Sequence, residues 1–240
     1  MMSDDLFNLK QADRTLMVGH AVLALKEYIL NGNLTPGTVL PPERDMAKAI
    51  GVSRFSMREA LRVLQVLGLI DISQGRRTRV ACNSISPITS LLVLTLQRSR
   101  VPKIQLIEAR KSQEGHIARF AAMRADRSHI ETMRTSIEEM RQHRDELSTC
   151  VEKDLEFHGT LVKASGNLVF EIMLAPLNEL LRDQRRETIR YSGVDLVIQG
   201  HARILGAVQE KDPDLAERYM DEHLAKAEQD VRMIEESAGT

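Results

Sequence analysis

The sequence predicts a mainly α fold in two parts: three helices closed by a β-hairpin, then a larger all-α antiparallel bundle. Three observations carry this. Of 240 residues, 42% are hydrophobic and 28% charged, enough for packed cores with soluble surfaces. Apolar residues recur at helical spacing along most of the chain, while β-prone runs cluster around residues 69–81. Charge is unevenly spread. Residues 1–83 carry 11 Lys/Arg and 8 Asp/Glu, whereas residues 84–240 carry 22 and 26. With a polar stretch beginning at Asn83, this divides the chain into a first domain (1–83), a linker (84–99) and a second domain (100–240).

The first domain is justified element by element. From Met17 to Leu30, Val22, Leu23, Leu25, Ile29 and Leu30 fall at helical spacing, and Gly32-Asn33 ends the run. Pro36-Gly37 is a turn signal and Pro41-Pro42 an extended entry. A short helix follows to Ile50, with Met46, Ala47 and Ile50 on one face, and Gly51-Val52 breaks it. Ser53 is an N-cap, because its hydroxyl can accept a free backbone N–H. The next helix carries an apolar stripe of Met57, Leu61, Leu64 and Leu67, with Arg54, Arg58 and Arg62 on another face. Leu69–Ile72 and Thr78–Ala81 flank a hairpin tip at Gln74-Gly75-Arg76-Arg77.

Composition removes several classes. Cys82 and Cys150 are too few for a disulfide framework, which points to a reducing, cytoplasmic setting. The apolar run Ile88–Leu96 falls far short of the ~20 residues a membrane helix needs. Asp4 and Asp5 stand where a secretory leader has basic residues. With no Trp and 3% aromatics, a base-stacking reader of single strands is disfavoured.

Two short helices joined by a Gly turn, followed by a hairpin, make a winged helix-turn-helix. Residues 44–83 carry 8 basic and 3 acidic side chains, seven of the basic ones Arg. The major groove admits an α-helix, and Arg pairs bidentately with guanine. Double-stranded operator DNA is therefore the expected partner. The motifs Leu40-Pro-Pro-Glu-Arg-Asp-Met-Ala, Gly51-Val-Ser-Arg, Met57-Arg-Glu-Ala-Leu and Leu67-Gly-Leu-Ile resemble the winged helix of GntR-type bacterial repressors over residues 17–82. That resemblance implies DNA contacts from Arg44, Arg54 and Arg58, with Gln74 and Gly75 in the wing. Ser53, Ser56, Arg76 and Arg77 complete the expected DNA-binding set.

The second domain reads as helices at 104–125, 128–144, 150–165, 168–190, 195–210 and 213–236. Asp212-Pro213 is a cap followed by proline at the first helical position. Asp154 and His158 lie four residues apart on one helical face, and His201 and His223 follow on later helices. A carboxylate with imidazoles suits a divalent transition ion, but spacing alone is a weak signal, since a His is more often a polar surface residue. Ordinary imidazoles protonate near pH ~6.5, so ion binding is expected to weaken below it.

The run Asp154-Leu-Glu-Phe-His158 to Asn167, then His201-Ala-Arg-Ile-Leu-Gly, then Ala216 to His223-Leu224, resembles the all-helical FCD-type effector domain of the FadR branch of GntR regulators. The resemblance implies that Asp154, His158, His201 and His223 hold one metal ion (Zn, Ni, Fe or Mn), with a small carboxylate or hydroxy-acid effector beside it. It assigns effector contacts to Arg110 and Asn167, although Arg110 could instead pair with Glu114. A homodimer on a near-palindromic site is expected, since one winged helix buries too little surface for tight binding. The alternative is a metal-dependent hydrolase or lyase on a nucleic-acid-binding arm. No nucleophile beside a base and no His-Glu-x-x-His pair supports it.

Overall fold

The computed structural model describes residues 3–32, 34–72, 77–82 and 85–238. The chain divides into two compact units, residues 1–90 and 91–240. In the first, α1 (Ser3–Asn31) reaches further back than its apolar stripe predicts. Helices α2 (Glu43–Ile50) and α3 (Arg54–Val66) follow, then β1 (Ile70–Asp71) and β2 (Arg79–Val80). The strands pair antiparallel, with Ile70 opposite Val80 and Asp71 opposite Arg79.

The core explains these elements. Ala21, Leu25 and Ile29 of α1 meet Met46 and Ala47 of α2, Met57, Leu61 and Leu64 of α3, and Ile70 and Val80 of the hairpin. Spacings of three and four put each set on one helical face. Leu23, Leu30 and Leu67, expected inside, are exposed; they fall off the inward face or past the last turn. Gly51 caps α2 with φ of 80°, a left-handed conformation that Gly adopts without steric cost. The hairpin gains a partner the sequence did not announce. The amide of Leu40 donates to Thr78 O at 2.9 Å, and that of Val80 to Thr38 O at 2.9 Å, so the segment after Gly37 closes the second edge of β2.

The stretch read as a linker is mostly helical, α4 (Ile85–Arg98), and the division between units falls within it. Pro87 in its first turn costs no hydrogen bond. The second unit contains α5 (Lys103–Arg124), α6 (Arg127–Gln142), α7 (Leu147–Ala164), α8 (Leu168–Leu180), α9 (Arg182–Ser192), α10 (Val194–Gln209) and α11 (Pro213–Ala238). Helix α5 packs along α11, α6 along α7, and α10 against both α11 and α6. Phe157, Leu161, Met133, Met140, Ile204 and Leu224 sit at the centre of this bundle. The Asp212 side chain accepts from the amide of Leu215 at 3.0 Å, capping α11 ahead of Pro213. One expected helix, 168–190, is two: it is interrupted at the buried Leu181, with Pro176 inside its first half. No described helix is long and apolar enough to cross a membrane.

Candidate functional site

Helix α3 begins where Ser53 caps it. The hydroxyl of Ser53 accepts from the amide of Ser56 at 3.0 Å, so the exposed residues of the first turn are held on a formed helix end. Arg54 and Arg58 are exposed on α3, and Arg44 is exposed on α2. Like-charged neighbours one turn apart repel. Here acids from the same unit moderate that repulsion: Arg58 pairs with Glu43 of α2 at 3.2 Å, and Arg62 with Glu59 at 2.8 Å. Ser56 departs from the expected DNA-contacting set. It is 3% exposed, with its hydroxyl 2.9 Å from that of Ser53, so its place is in the cap. Arg77 is exposed beside the hairpin. Gln74, Gly75 and Arg76 lie outside the described residues.

In the second unit, α7, α10 and α11 bring Asp154, His158, His201 and His223 together, one donor atom of each within 4.8 Å of the others. The first three are buried and His223 is half-buried. Ring centroids stand 5.1 Å apart for His158 and His201, 5.4 Å for His158 and His223, and 4.9 Å for His201 and His223. Phe157 stacks on His201 at 4.0 Å and fixes its plane. Helix α10 approaches α11 closely because residue 200 is Gly: a Cβ there would stand 2.6 Å from His223 Nδ1.

Charged neighbours set the protonation states. Burial opposes the charge of Glu114, but Arg110, whose Nε donates to it at 2.5 Å, holds its carboxyl well below the usual range. An ionised carboxylate only accepts, so His158 Nδ1, 2.7 Å away, carries the proton it donates. The lone pair is left on Nε2, 3.9 Å from Asp154 Oδ1. Desolvation lowers His158 to about 4, against the pull of Glu114. Desolvation and the neighbouring imidazoles lower His223 as well. The rings of His158 and His223 therefore stay neutral below the pH of ordinary imidazole protonation. Burial also opposes the charge of Asp154, and Arg185 holds it well below the carboxylate range. Both ring nitrogens of His201 are buried without a hydrogen-bond partner, although Nε2 lies 3.3 Å from Asp154 Oδ1. An imidazole and carboxylate donor set with such orphaned nitrogens fits a divalent transition ion.

A cavity of about 200 Å³ opens beside the cluster, lined among others by Arg110, Asp154, Arg185, Ser192, Tyr219 and His223. Arg110 reaches it while keeping its ion pair with Glu114. Asn167 does not line it: its side chain accepts from the amide of Val169 at 3.0 Å at the start of α8. The residue that sequence reasoning missed is Arg185. The signal was present, because Leu181, Arg185 and Ile189 share one inward stripe at four-residue spacing, and an Arg there must find a buried partner. Cys150 is no nucleophile. Burial pushes its thiol up, and Sγ donates to the carbonyl of His143 at 3.4 Å.

Residues 18–80 match the family described as "Bacterial regulatory proteins, gntR family", and residues 105–226 match the FCD domain. The chain belongs to the GntR family. This GntR chain is 30% identical to the HTH-type transcriptional repressor NanR of Cronobacter sakazakii over 208 residues, covering 83% of this chain and 79% of that protein. It is 29% identical to the HTH-type transcriptional regulator LutR of Bacillus subtilis, covering 83% and 94%. It is 28% identical to the Glc operon transcriptional activator of Escherichia coli, covering 88% and 87%. A Streptococcus agalactiae GntR structure shares the fold with a TM-score of 0.70 at 23% identity, over 88% of this chain and 99% of that one. The chain is thus a transcription regulator with a helical effector domain, not an enzyme.

Proposed function

We propose that this regulator is a cytoplasmic homodimeric repressor that binds a near-palindromic operator through α3 with an affinity that responds to a small carboxylate or hydroxy acid. The observation that carries this is the pairing, in one chain, of a capped helix with exposed Arg54 and Arg58 and a buried His cluster beside a cavity. Asp154, His158, His201 and His223 would hold one divalent ion, Zn, Ni, Fe or Mn. The ion supplies a Lewis-acidic anchor for an acid's oxygens. The donors come from α7, α10 and α11, so ligand binding can bias how these helices pack, which is what coupling to DNA affinity requires. Relatives named as repressors support repression, although the Glc operon relative is named an activator.

The test selects operator sites from a random DNA pool with the full chain, then measures binding by fluorescence anisotropy. A two-fold symmetric site, bound with an affinity that a short hydroxy acid changes in the presence of added Zn, is expected. An asymmetric site occupied by a monomer contradicts the dimer. Operator affinity unchanged by every short acid tested contradicts the sensor.

A further inference from the structure

The cavity beside the histidine cluster has a second wall of different chemistry. Ile189, Leu196, Val197 and Ala227 line it. Each stands four residues from a group at the cluster: Ile189 from Arg185, Leu196 from Gly200, Val197 from His201 and Ala227 from His223. Four residues are one helical turn, about 6 Å along the axis, on the same face. Residues 210–212 alone join α10 to α11, so the two helices run antiparallel. A turn back on α10 and a turn forward on α11 therefore lead to the same end of the pair. Ile189 and Val197 flank the α9–α10 junction at Gly193, at that same end. The four apolar side chains form a belt about one turn beyond the cluster.

Polar side chains line the cavity as well, but they hold one another. Thr188 Oγ1 donates to Gln184 O at 3.2 Å, and Arg203 Nη2 donates to Glu222 Oε2 at 2.7 Å. Ser192 and Lys226 both donate to the buried Asp230. Ser192 and Asp230 lie seven residues beyond Arg185 and His223, two turns or about 10 Å from the cluster, where their bond closes the far end of the belt. A ligand hydroxyl on this wall loses its water without finding a free partner, whereas a hydrocarbon loses nothing. The cavity of about 200 Å³ equals the liquid volume of about seven waters, more than a two-carbon acid fills.

We propose that the effector is a hydroxy acid with a short hydrocarbon side chain, its carboxylate end at the cluster and its tail on Ile189, Leu196, Val197 and Ala227. This rests on the effector role proposed above and adds the ligand class. The belt begins about one turn from the cluster and ends about two turns away, so acids of about five or six carbons fit best. Acids of two or three carbons reach the cluster without covering the belt. A sugar acid of the same length sets hydroxyls against apolar side chains.

The experiment measures, by titration calorimetry on full-length protein with added Zn2+, the binding of lactate, 2-hydroxybutyrate, 2-hydroxyisocaproate and gluconate. Chelation of Zn2+ is subtracted from protein-free titrations, and folding is checked by circular dichroism. In the wild type, affinity is expected to rise from lactate to 2-hydroxyisocaproate by about threefold per added carbon, with gluconate no tighter than lactate. Ala227→Leu fills the belt and is expected to weaken 2-hydroxyisocaproate by about tenfold, and lactate far less. Val197→Thr keeps the shape and adds a hydroxyl, so the gain per carbon shrinks. If Ala227→Leu does not fold, Val197→Thr decides by that shrinkage. Lactate binding with no gain along the series overturns the ligand class and leaves the effector role standing, as does gluconate binding more tightly than 2-hydroxyisocaproate. A gain per carbon unchanged in both folded variants overturns the belt. A wild type that binds none of the four overturns the hydroxy-acid effector role and this inference together.

Discussion

At the scale of single residues, the site turns on which nitrogen of His158 holds its proton. Glu114 is ionised because Arg110 is bonded to it, so it can only accept, and His158 presents Nε2 to the cluster. The buried neutral ring has a cost in acid. The folded-state value of about 4 for His158 lies below the ~6.5 of an unfolded chain, so unfolding takes up a proton between these limits. Stability present above pH ~6.5 is then lost as pH falls toward ~4, by on the order of 3 kcal/mol from this residue. Asp154 and Glu114, held below their ordinary range, push in the same direction at lower pH. Chelator-treated protein should therefore melt at a lower temperature near pH 5 than near pH 7. A melting temperature flat across that interval contradicts the buried neutral imidazole. Spacing alone put only Asp154 and His158 on one helical face; the full set of four candidate ligands was legible through the resemblance to the FCD-type domain. Arg185 and the Glu114–His158 bond were not, because a cation on an apolar stripe shows its partner only when another helix delivers it.

At the scale of elements, α3 and α10 carry the functional claims. Arg54 and Arg58 are exposed and bury no core area, so Arg54→Ala and Arg58→Ala should leave the melting temperature nearly unchanged. Each should weaken specific operator binding by ~1–3 kcal/mol at fixed salt, and equal binding by both variants contradicts the assignment of α3. On α10, Gly200→Ala should press on the His223 ring and lower divalent-ion affinity by about tenfold or more without disturbing DNA binding in metal-free buffer. Unchanged ion affinity shows that His223 is not a ligand or that α10 and α11 separate freely. The helices of the first unit were legible because each buries one regular stripe. Helix α4 was not: Val93 is buried while Leu91 and Leu94 are exposed, so its apolar run shows no inward face. The break at Leu181 was hidden for a similar reason, since the apolar spacing runs through it without a change of phase.

At the scale of the whole molecule, the uneven charge found in the sequence corresponds to a division of labour. The basic first unit presents arginines, and the second buries ionisable groups around a cavity. Two copies on a two-fold site double the number of phosphate and base contacts, so the chain should sediment as a dimer at micromolar concentration. A monomer both free and on DNA contradicts this. The central claim is that the His cluster binds an ion that the folded state alone can hold. Such an ion adds RT ln(1 + [L]/Kd) to stability, so its removal must lower the melt. The most direct measurement is elemental analysis of wild type, His201→Ala and His223→Ala after incubation with Zn, Ni or Mn, paired with melts with and without chelator. The account predicts about one ion per wild-type chain, much less in both variants, and a melting temperature that chelator lowers only in wild type. Wild-type protein that stays metal-free and melts identically with chelator would contradict it, and would leave these histidines as direct hydrogen-bonding partners of an organic effector.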